Sequence, residues 1–197
     1  MKVYRNASLR HKSGKFDIWV DGETVFDILP AGTQESGDGS LPYPVTEERD
    51  LEGRLVCEPF VESHIHLDYV YTADIPAEET GSGTLFEAID KWSDSKSVLT
   101  VQDIKERAYK GIRAEMRNGV QYIRTHVDVT DPKLTAMKAM LEVKEEVKDF
   151  LYLQLIAFPQ EGYYAYRGGE ELVEEALKMG ADVVGGIPHY EFTRQLG

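Results

Sequence analysis

The sequence predicts an α/β fold: a small all-β portion over residues 1–57, followed by a parallel sheet with outer helices over residues 58–197. Three observations carry this expectation. From Phe60 onward, strand-like and helix-like segments alternate without interruption, the pattern of parallel strands joined by helical crossovers. Residues 151–158 form a nearly continuous apolar run, as expected for a parallel strand buried on both faces. Before Phe60 the chain reads instead as short strands and turns.

In the first portion, residues 16–20 alternate apolar and polar, Asp21-Gly22 reads as a turn, and residues 24–29 resume the alternation, together a hairpin. Residues 31–43 are rich in Gly, Ser and Pro and read as a loop; residues 54–57 suit one more short strand. In the second portion, residues 60–66 read as a strand and residues 84–95 as a helix. A second helix spans residues 100–118, opening on Thr100 with Asp103 three residues later, a capping-box pattern. Its Val101, Ile104, Ala108 and Ile112 share one face, and Asn118-Gly119 ends it. Residues 120–127 are strand-like. Residues 134–147 are helical, with Leu134, Met137, Met140 and Leu141 turned inward. After the strand at 151–158 come a helix over 170–179, ended by Gly180, and a strand over 183–187. An open doubly wound sheet and a closed barrel both fit this order. No Gly-rich phosphate loop follows the first strand, which argues against a nucleotide-binding Rossmann site.

The 197 residues suffice for one domain or one domain plus a small appendage. At 42% hydrophobic, the chain can bury an ordinary globular core and is not of disordered composition. Lys and Arg number 22 against 35 Asp and Glu, a formal charge of −13. That surface would repel nucleic acid and anionic membrane, and suits a small neutral or cationic partner. The single cysteine, Cys57, excludes an intrachain disulfide and Cys-x-x-Cys zinc chemistry. No apolar run follows the first residues, and none approaches the roughly 18 residues of a membrane span, so a cytoplasmic enzyme is the expectation.

His64 and His66 are the most pointed chemical feature. Residues two apart on a strand face the same way. Two imidazoles at the end of the first parallel strand could therefore bind one metal ion, where α/β folds place their active sites. The alternative is two ordinary histidines on a half-buried strand. Polar residues also close each later strand: His126 and Asp128, then Gln160 and Glu161, then His189 and Glu191. Four of the five histidines fall at strand ends, although His126 alone suits a loop brace and Glu161-Gly162 alone suits a turn.

The blocks 62–68 (Glu-Ser-His-Ile-His-Leu-Asp), 83–87, 124–129, 157–162 and 187–192 together resemble, in order, those of bacterial-type cytosine deaminases of the amidohydrolase superfamily. The resemblance covers most of the chain. It implies the first half of a (β/α)8 amidohydrolase barrel, about four strands, preceded by part of a small N-terminal β-sandwich. It implies one divalent metal ion, Fe(II) or Zn(II), that activates water for hydrolysis of cytosine to uracil and ammonia. By position, His64 and His66 would be metal ligands, and Gln160 would bind the pyrimidine amide edge. Leu85 and Phe158 would line the ring pocket, with His126 and Asp128 supporting the metal histidines from behind.

The family's third metal histidine, proton-shuttling glutamate, further catalytic histidine and metal-binding aspartate lie on later strands, so no catalytic acid or base is expected before Gly197. The expectation is a truncated chain, one half of a split enzyme, or a decayed gene, with little or no turnover by itself. Its partners would be a nucleobase, a missing C-terminal half, or further copies of itself in a homo-oligomer. Tyr69-Val70-Tyr71 and the acidic Glu78-Glu79 depart from the family pattern and leave isoguanine, creatinine or another cyclic amidine as rival substrates. A small α/β binding protein with structural histidines is the remaining alternative.

Overall fold

The computed structural model describes residues 1–33, 43–73, 75 and 81–196. Most of the loop read over 31–43, the Glu78-Glu79 departure and Gly197 lie outside these residues. The chain divides into two compact units, Met1–Glu58 and Pro59–Gly197.

The first unit is a five-stranded sheet of β1 (Lys2–Leu9), β2 (Phe16–Asp21), β3 (Thr24–Pro30), β4 (Glu47–Asp50) and β5 (Leu55–Val56). Its order is β3-β2-β1-β4, with β5 also paired to β1. The hairpin of β2 and β3 turns at Gly22, whose φ of 58° suits glycine. Val3, Ala7, Ile18 and Trp19 are buried, and Asp17 among them is neutralised by Arg5 at 2.8 Å. Two strands carried no sequence signal. Glu47–Asp50 is exposed throughout and joins β1 in parallel by its backbone. β1 is interrupted at Asn6, where φ is 56° and the pairing register shifts.

The second unit runs β6 (Phe60–Ile65), α1 (Leu85–Lys96), α2 (Val101–Arg117), β7 (Val120–Asp128), α3 (Thr135–Val147), β8 (Tyr152–Phe158), α4 (Gly169–Met179) and β9 (Val183–Val184). All four strands are parallel, in the order β6-β7-β8-β9. A doubly wound sheet reverses its order at a switch point. This one does not: each strand is laid beside its predecessor, as in a barrel.

The helices form where local chemistry dictates. Thr100 and Asp103 close the capping box of α2 in both directions. Asp131 caps α3, its carboxylate accepting from the N–H groups of Lys133 and Thr135 at 3.0 and 2.9 Å. Leu134, read as helical, instead precedes the helix in a left-handed conformation, and its side chain remains buried. α4 ends at Gly180, whose φ is 122°.

One main core fills the space between the sheet and α2, α3 and α4. Ile123, Thr125 and Val127 of β7 and Leu153, Leu155 and Ala157 of β8 are buried on that face. The residues between them, among them Tyr122, Arg124, Tyr152 and Gln154, line a recess on the opposite, inner face. α1 lies apart from the outer layer. Its Ile89 packs on Ile156, Phe158 and Ile187, which places it across the strand ends on the inner side. The strand read over 183–187 is shorter than expected: pairing stops at Val184, and Pro188–Tyr190 forms a 3-10 turn. Pro188 has no N–H to continue the ladder. Among the described residues, no helix is long and apolar enough to cross a membrane.

Candidate active site

The orientation of His64 and His66 depends on a bulge. In the pairing of β6 with β7, Val61 opposes Tyr122, Glu62 opposes Ile123, and Ile65 opposes Thr125. Three steps along β6 thus match two along β7, so Ser63 and His64 share the place opposite Arg124. Strict alternation from Val61, which lies on the inner face, would put Ser63 and Ile65 inward and both histidines against the helices. The extra residue reverses this. Ile65 joins the helix-side core, and His64 and His66 turn inward. The His64 N–H donates to the Glu62 carboxylate at 2.8 Å, which replaces the ladder bond that a bulge disrupts.

Beyond the strand, Leu67 anchors the turn in the core, its N–H donating to the Thr125 hydroxyl at 2.9 Å. Asp68 is fully buried and accepts the Asp128 N–H at 2.8 Å; burial pushes its pKa up to about 8, with Asp128 adding to the rise. Asp68 and Asp128 thereby tie the ends of β6 and β7 together.

The His66 Nδ1 lies 2.9 Å from the main-chain carbonyl of His126. A carbonyl only accepts, so Nδ1 carries the proton and Nε2 keeps a free lone pair. Burial, reinforced by the neighbouring His126 and His64, lowers the His66 pKa to about 4, so the ring is neutral at pH 7. His126 is lowered to about 4 as well, by burial and then by His64 and Arg124. Its ring stacks on His64 with centroids 3.9 Å apart, and the His64 and His66 centroids are 5.3 Å apart.

These groups line a cavity of about 310 Å³ at the C-terminal ends of the strands. His64, His66, His126, Leu85, Phe158 and Gln160 of the predicted set all border it, joined by Tyr69, His189 and the 185–188 segment. Leu85 stands at the rim, 55% exposed, whereas Phe158 and Gln160 are buried. The Gln160 Oε1 is buried without a hydrogen-bond partner among the described residues. A buried acceptor left unpaired is costly unless a bound group completes it. Gly185 also lines the cavity and lies close on β8: a Cβ there would be 2.7 Å from Ile156 Cγ2 and 2.8 Å from Phe158 Cδ2.

Asp128 is placed differently from the rest of the predicted set. It hydrogen-bonds no imidazole. Its Oδ2 accepts from Trp92 Nε1 at 2.6 Å and from Lys96 Nζ at 3.2 Å, and its Oδ1 accepts from the N–H and hydroxyl of Thr130 at 2.7 and 2.5 Å. Lys96 also bonds Glu161 and the Thr130 carbonyl. Burial alone would lower its pKa, but Asp128 and Glu161 outweigh that and hold the ammonium charged. This knot fastens the end of α1 to the ends of β7 and β8. Sequence reading missed Lys96 and Trp92, since nothing local marks two residues of an amphipathic helix as partners of a distant strand end.

The donors present suit a divalent ion in part. His64 and His66 face one cavity, and the His66 Nε2 lone pair is free to bind. A catalytic ion generally takes about three protein ligands. Among the described residues no group of three or more His, Cys, Asp or Glu converges as a full set, so the two histidines amount to part of one.

The Amidohydrolase family model matches residues 47–196. The chain is 32% identical over 189 residues to N-isopropylammelide isopropyl amidohydrolase of Pseudomonas sp. (strain ADP), covering 94% of this chain and 45% of that protein. Among solved structures it is similar to 5-methylcytosine deaminase from Klebsiella pneumoniae liganded with 5-fluorocytosine, at 46% identity and a TM-score of 0.87, over 98% of this chain and 45% of that one. It is also similar to N-isopropylammelide isopropylaminohydrolase from Burkholderia multivorans, at 27% identity and a TM-score of 0.72, over 94% and 44%. The chain therefore spans somewhat less than half the length of these relatives, and corresponds to the N-terminal portion of an amidohydrolase barrel. With more than two thirds of its residues fitting the family model, the chain belongs to the amidohydrolase family, whose superfamily generally uses a divalent metal.

Proposed function

We propose that this chain forms the metal- and pyrimidine-binding wall of a hydrolytic deaminase acting on a cytosine-type ring. In that reaction water adds at the carbon bearing the exocyclic amine, and ammonia leaves to give the uracil-type product. A divalent ion, Fe(II) or Zn(II), held in part by His64 and His66, would when bound supply an acidified water at neutral pH. The protein's own groups do the rest that these residues support. His126 orients His66 through its carbonyl and stacks on His64. Phe158 and the rim residue Leu85 offer apolar surface to a planar ring. Gln160 presents an acceptor to a ring N–H or amine. Asp128 acts at one remove, holding α1 over the strand ends through Trp92 and Lys96.

The observation that carries the reading is that Gln160, whose buried Oε1 is unpaired among the described residues, lines the same cavity as His64 and His66. The 46% identity to a 5-methylcytosine deaminase supports a pyrimidine substrate. The 32% identity to an N-isopropylammelide amidohydrolase favours, as a second reading, a related amino-substituted ring.

The test is calorimetric binding of cytosine, 5-methylcytosine and N-isopropylammelide to protein loaded with Fe(II) or Zn(II), with metal content measured alongside. Cytosine-type rings should bind best. Gln160→Ala should weaken them about tenfold, by loss of one buried hydrogen bond, without loss of metal. His64→Ala and His66→Ala should each lower metal content. Equal cytosine affinity in wild type and Gln160→Ala would sink the pyrimidine assignment, and tighter binding of N-isopropylammelide would move it to the second reading.

A further inference from the structure

Glu191 lies outside the cavity, yet its carboxylate joins two loops that carry cavity-lining residues, Gln160 on one and Pro188 and His189 on the other. The first loop leaves β8 at Gln160 and Glu161 and turns at Gly162, whose φ is 95°. The next three backbone N–H groups then point the same way. That of Tyr163 donates to Glu191 Oε1, and those of Tyr164 and Ala165 donate to Glu191 Oε2 at 3.1 and 3.0 Å. Successive N–H groups in such a concave turn make an anion-binding nest. Here the anion is the chain's own, contributed from 26 to 28 residues further on. The second loop is the 3-10 turn Pro188–Tyr190, which ends at Glu191 and places Pro188 and His189 on the cavity.

The loop is also fixed from behind. A Cβ at Gly169 would lie 2.4 Å from the Tyr163 carbonyl oxygen, so the start of α4 presses directly on the loop backbone. With that side pinned by α4, the carboxylate sets the other side. Tyr163 also packs against the main core, but apolar contact does not extend along the turn: Tyr164 is exposed, and Ala165 and Glu191 are only half-buried.

We propose that Glu191 is a positioning residue. Seated in the nest at 163–165, it fixes the spacing between the wall carrying Gln160 and the wall carrying Pro188 and His189, and so the fit of a planar ring between them. The part that concerns ring fit rests on the pyrimidine reading above; the part that concerns the nest does not.

The experiment compares wild type, Glu191→Ala and Glu191→Gln by hydrogen exchange of residues 163–165 and by calorimetric binding of cytosine, each in sodium formate and in sodium chloride of equal ionic strength. Glu191→Ala removes the anion and leaves a hole of carboxylate size. In chloride, exchange of the three amides should rise and cytosine affinity should fall, each about tenfold, as expected for loss of charge-assisted bonds. Formate should reverse both changes in Glu191→Ala and alter neither in wild type. Melting temperature should stay near the wild-type value, since no buried apolar contact is lost. Should the alanine variant fold poorly, Glu191→Gln fills the same space but keeps one acceptor oxygen, which Tyr164 and Ala165 share, and sets its amide N–H against that of Tyr163, so exchange should rise at Tyr163 without formate rescue. Unchanged exchange at 163–165 in both variants, or faster exchange that formate leaves unaltered in Glu191→Ala, would overturn the proposal. If wild type does not bind cytosine, the pyrimidine reading fails, and exchange with formate rescue alone decides the role of Glu191 in the nest.

Discussion

At the scale of single residues, His66 shows how one hydrogen bond chooses a tautomer. Its Nδ1 is committed to the His126 carbonyl, so Nε2 is the nitrogen left to bind. That commitment presupposes that the ring faces inward, and the bulge at Ser63 and His64 decides the face. Glu62→Ala removes the acceptor of the His64 N–H. We expect it to lower metal affinity by about tenfold, the lower end for loss of a supporting group, with Glu62→Gln retaining most of it. Titration with a competing chelator checks this, and equal affinity in the alanine variant would show that Ile65 and Leu67 hold the bulge alone. Lys96 offers a second prediction. Its ammonium is the counter-charge of both Asp128 and Glu161, and the Asp128 side chain is 1% exposed. Lys96→Met leaves that carboxylate buried without a counter-charge, although Trp92 and Thr130 still donate to it, which should cost about 3 kcal/mol in urea unfolding. A loss below about 0.5 kcal/mol, the range of an ordinary surface substitution, would mean that Trp92 and Thr130 suffice.

At the scale of elements, the helices are more legible than the strands. α2 is announced by Thr100, Asp103 and its one-sided apolar residues, all within a few turns of one another. Thr100→Ala should destabilise by about 1 kcal/mol, the ordinary worth of a side-chain N-cap, measurable by urea denaturation. The end of the fourth strand was less legible: an apolar and glycine-rich stretch reads as strand up to Ile187, but Pro188 and the close approach of Gly185 to Phe158 end the pairing early. The start of α4 was read to within one residue, but the need for a glycine there was not. Gly169 looks like an ordinary loop glycine, and only its 2.4 Å approach to the Tyr163 carbonyl reveals the need for it. Gly169→Ala sets a methyl against main chain, which cannot swing aside as a side-chain tip can, so it should destabilise by about 2 kcal/mol. Thermal unfolding close to wild type would show that the loop has room to shift.

At the scale of the whole molecule, the sheet of the second unit is covered by helices on its outer face, while its inner face leaves Val61, Tyr122 and Tyr152 at 65%, 46% and 56% exposure. Exposed apolar surface of this kind favours association. The formal charge of −13 opposes it by mutual repulsion, which salt screens. Sedimentation at rising protein concentration should therefore show self-association that strengthens with added NaCl, and Tyr122→Lys with Tyr152→Lys should reduce it. A monomer at all salt concentrations would count against the inner face as an adhesive surface.

What the sequence determined by itself were the properties written locally or in ordered blocks. These are the alternation of strands and helices after Phe60, the His64–His66 pair, the polar strand ends, and the likeness to an amidohydrolase. The β4 strand stayed hidden because four exposed polar residues join the sheet by backbone alone. The structure decided which way the histidines face, because a single extra residue in β6 reverses every side chain after it and becomes visible only against β7. It also decided that Lys96 answers Glu161, 65 residues away, and that Glu191 answers Tyr163 across 28. Periodicity records the geometry of one element at a time; these partners meet only when separate elements pack, and no local pattern encodes the distance that packing closes.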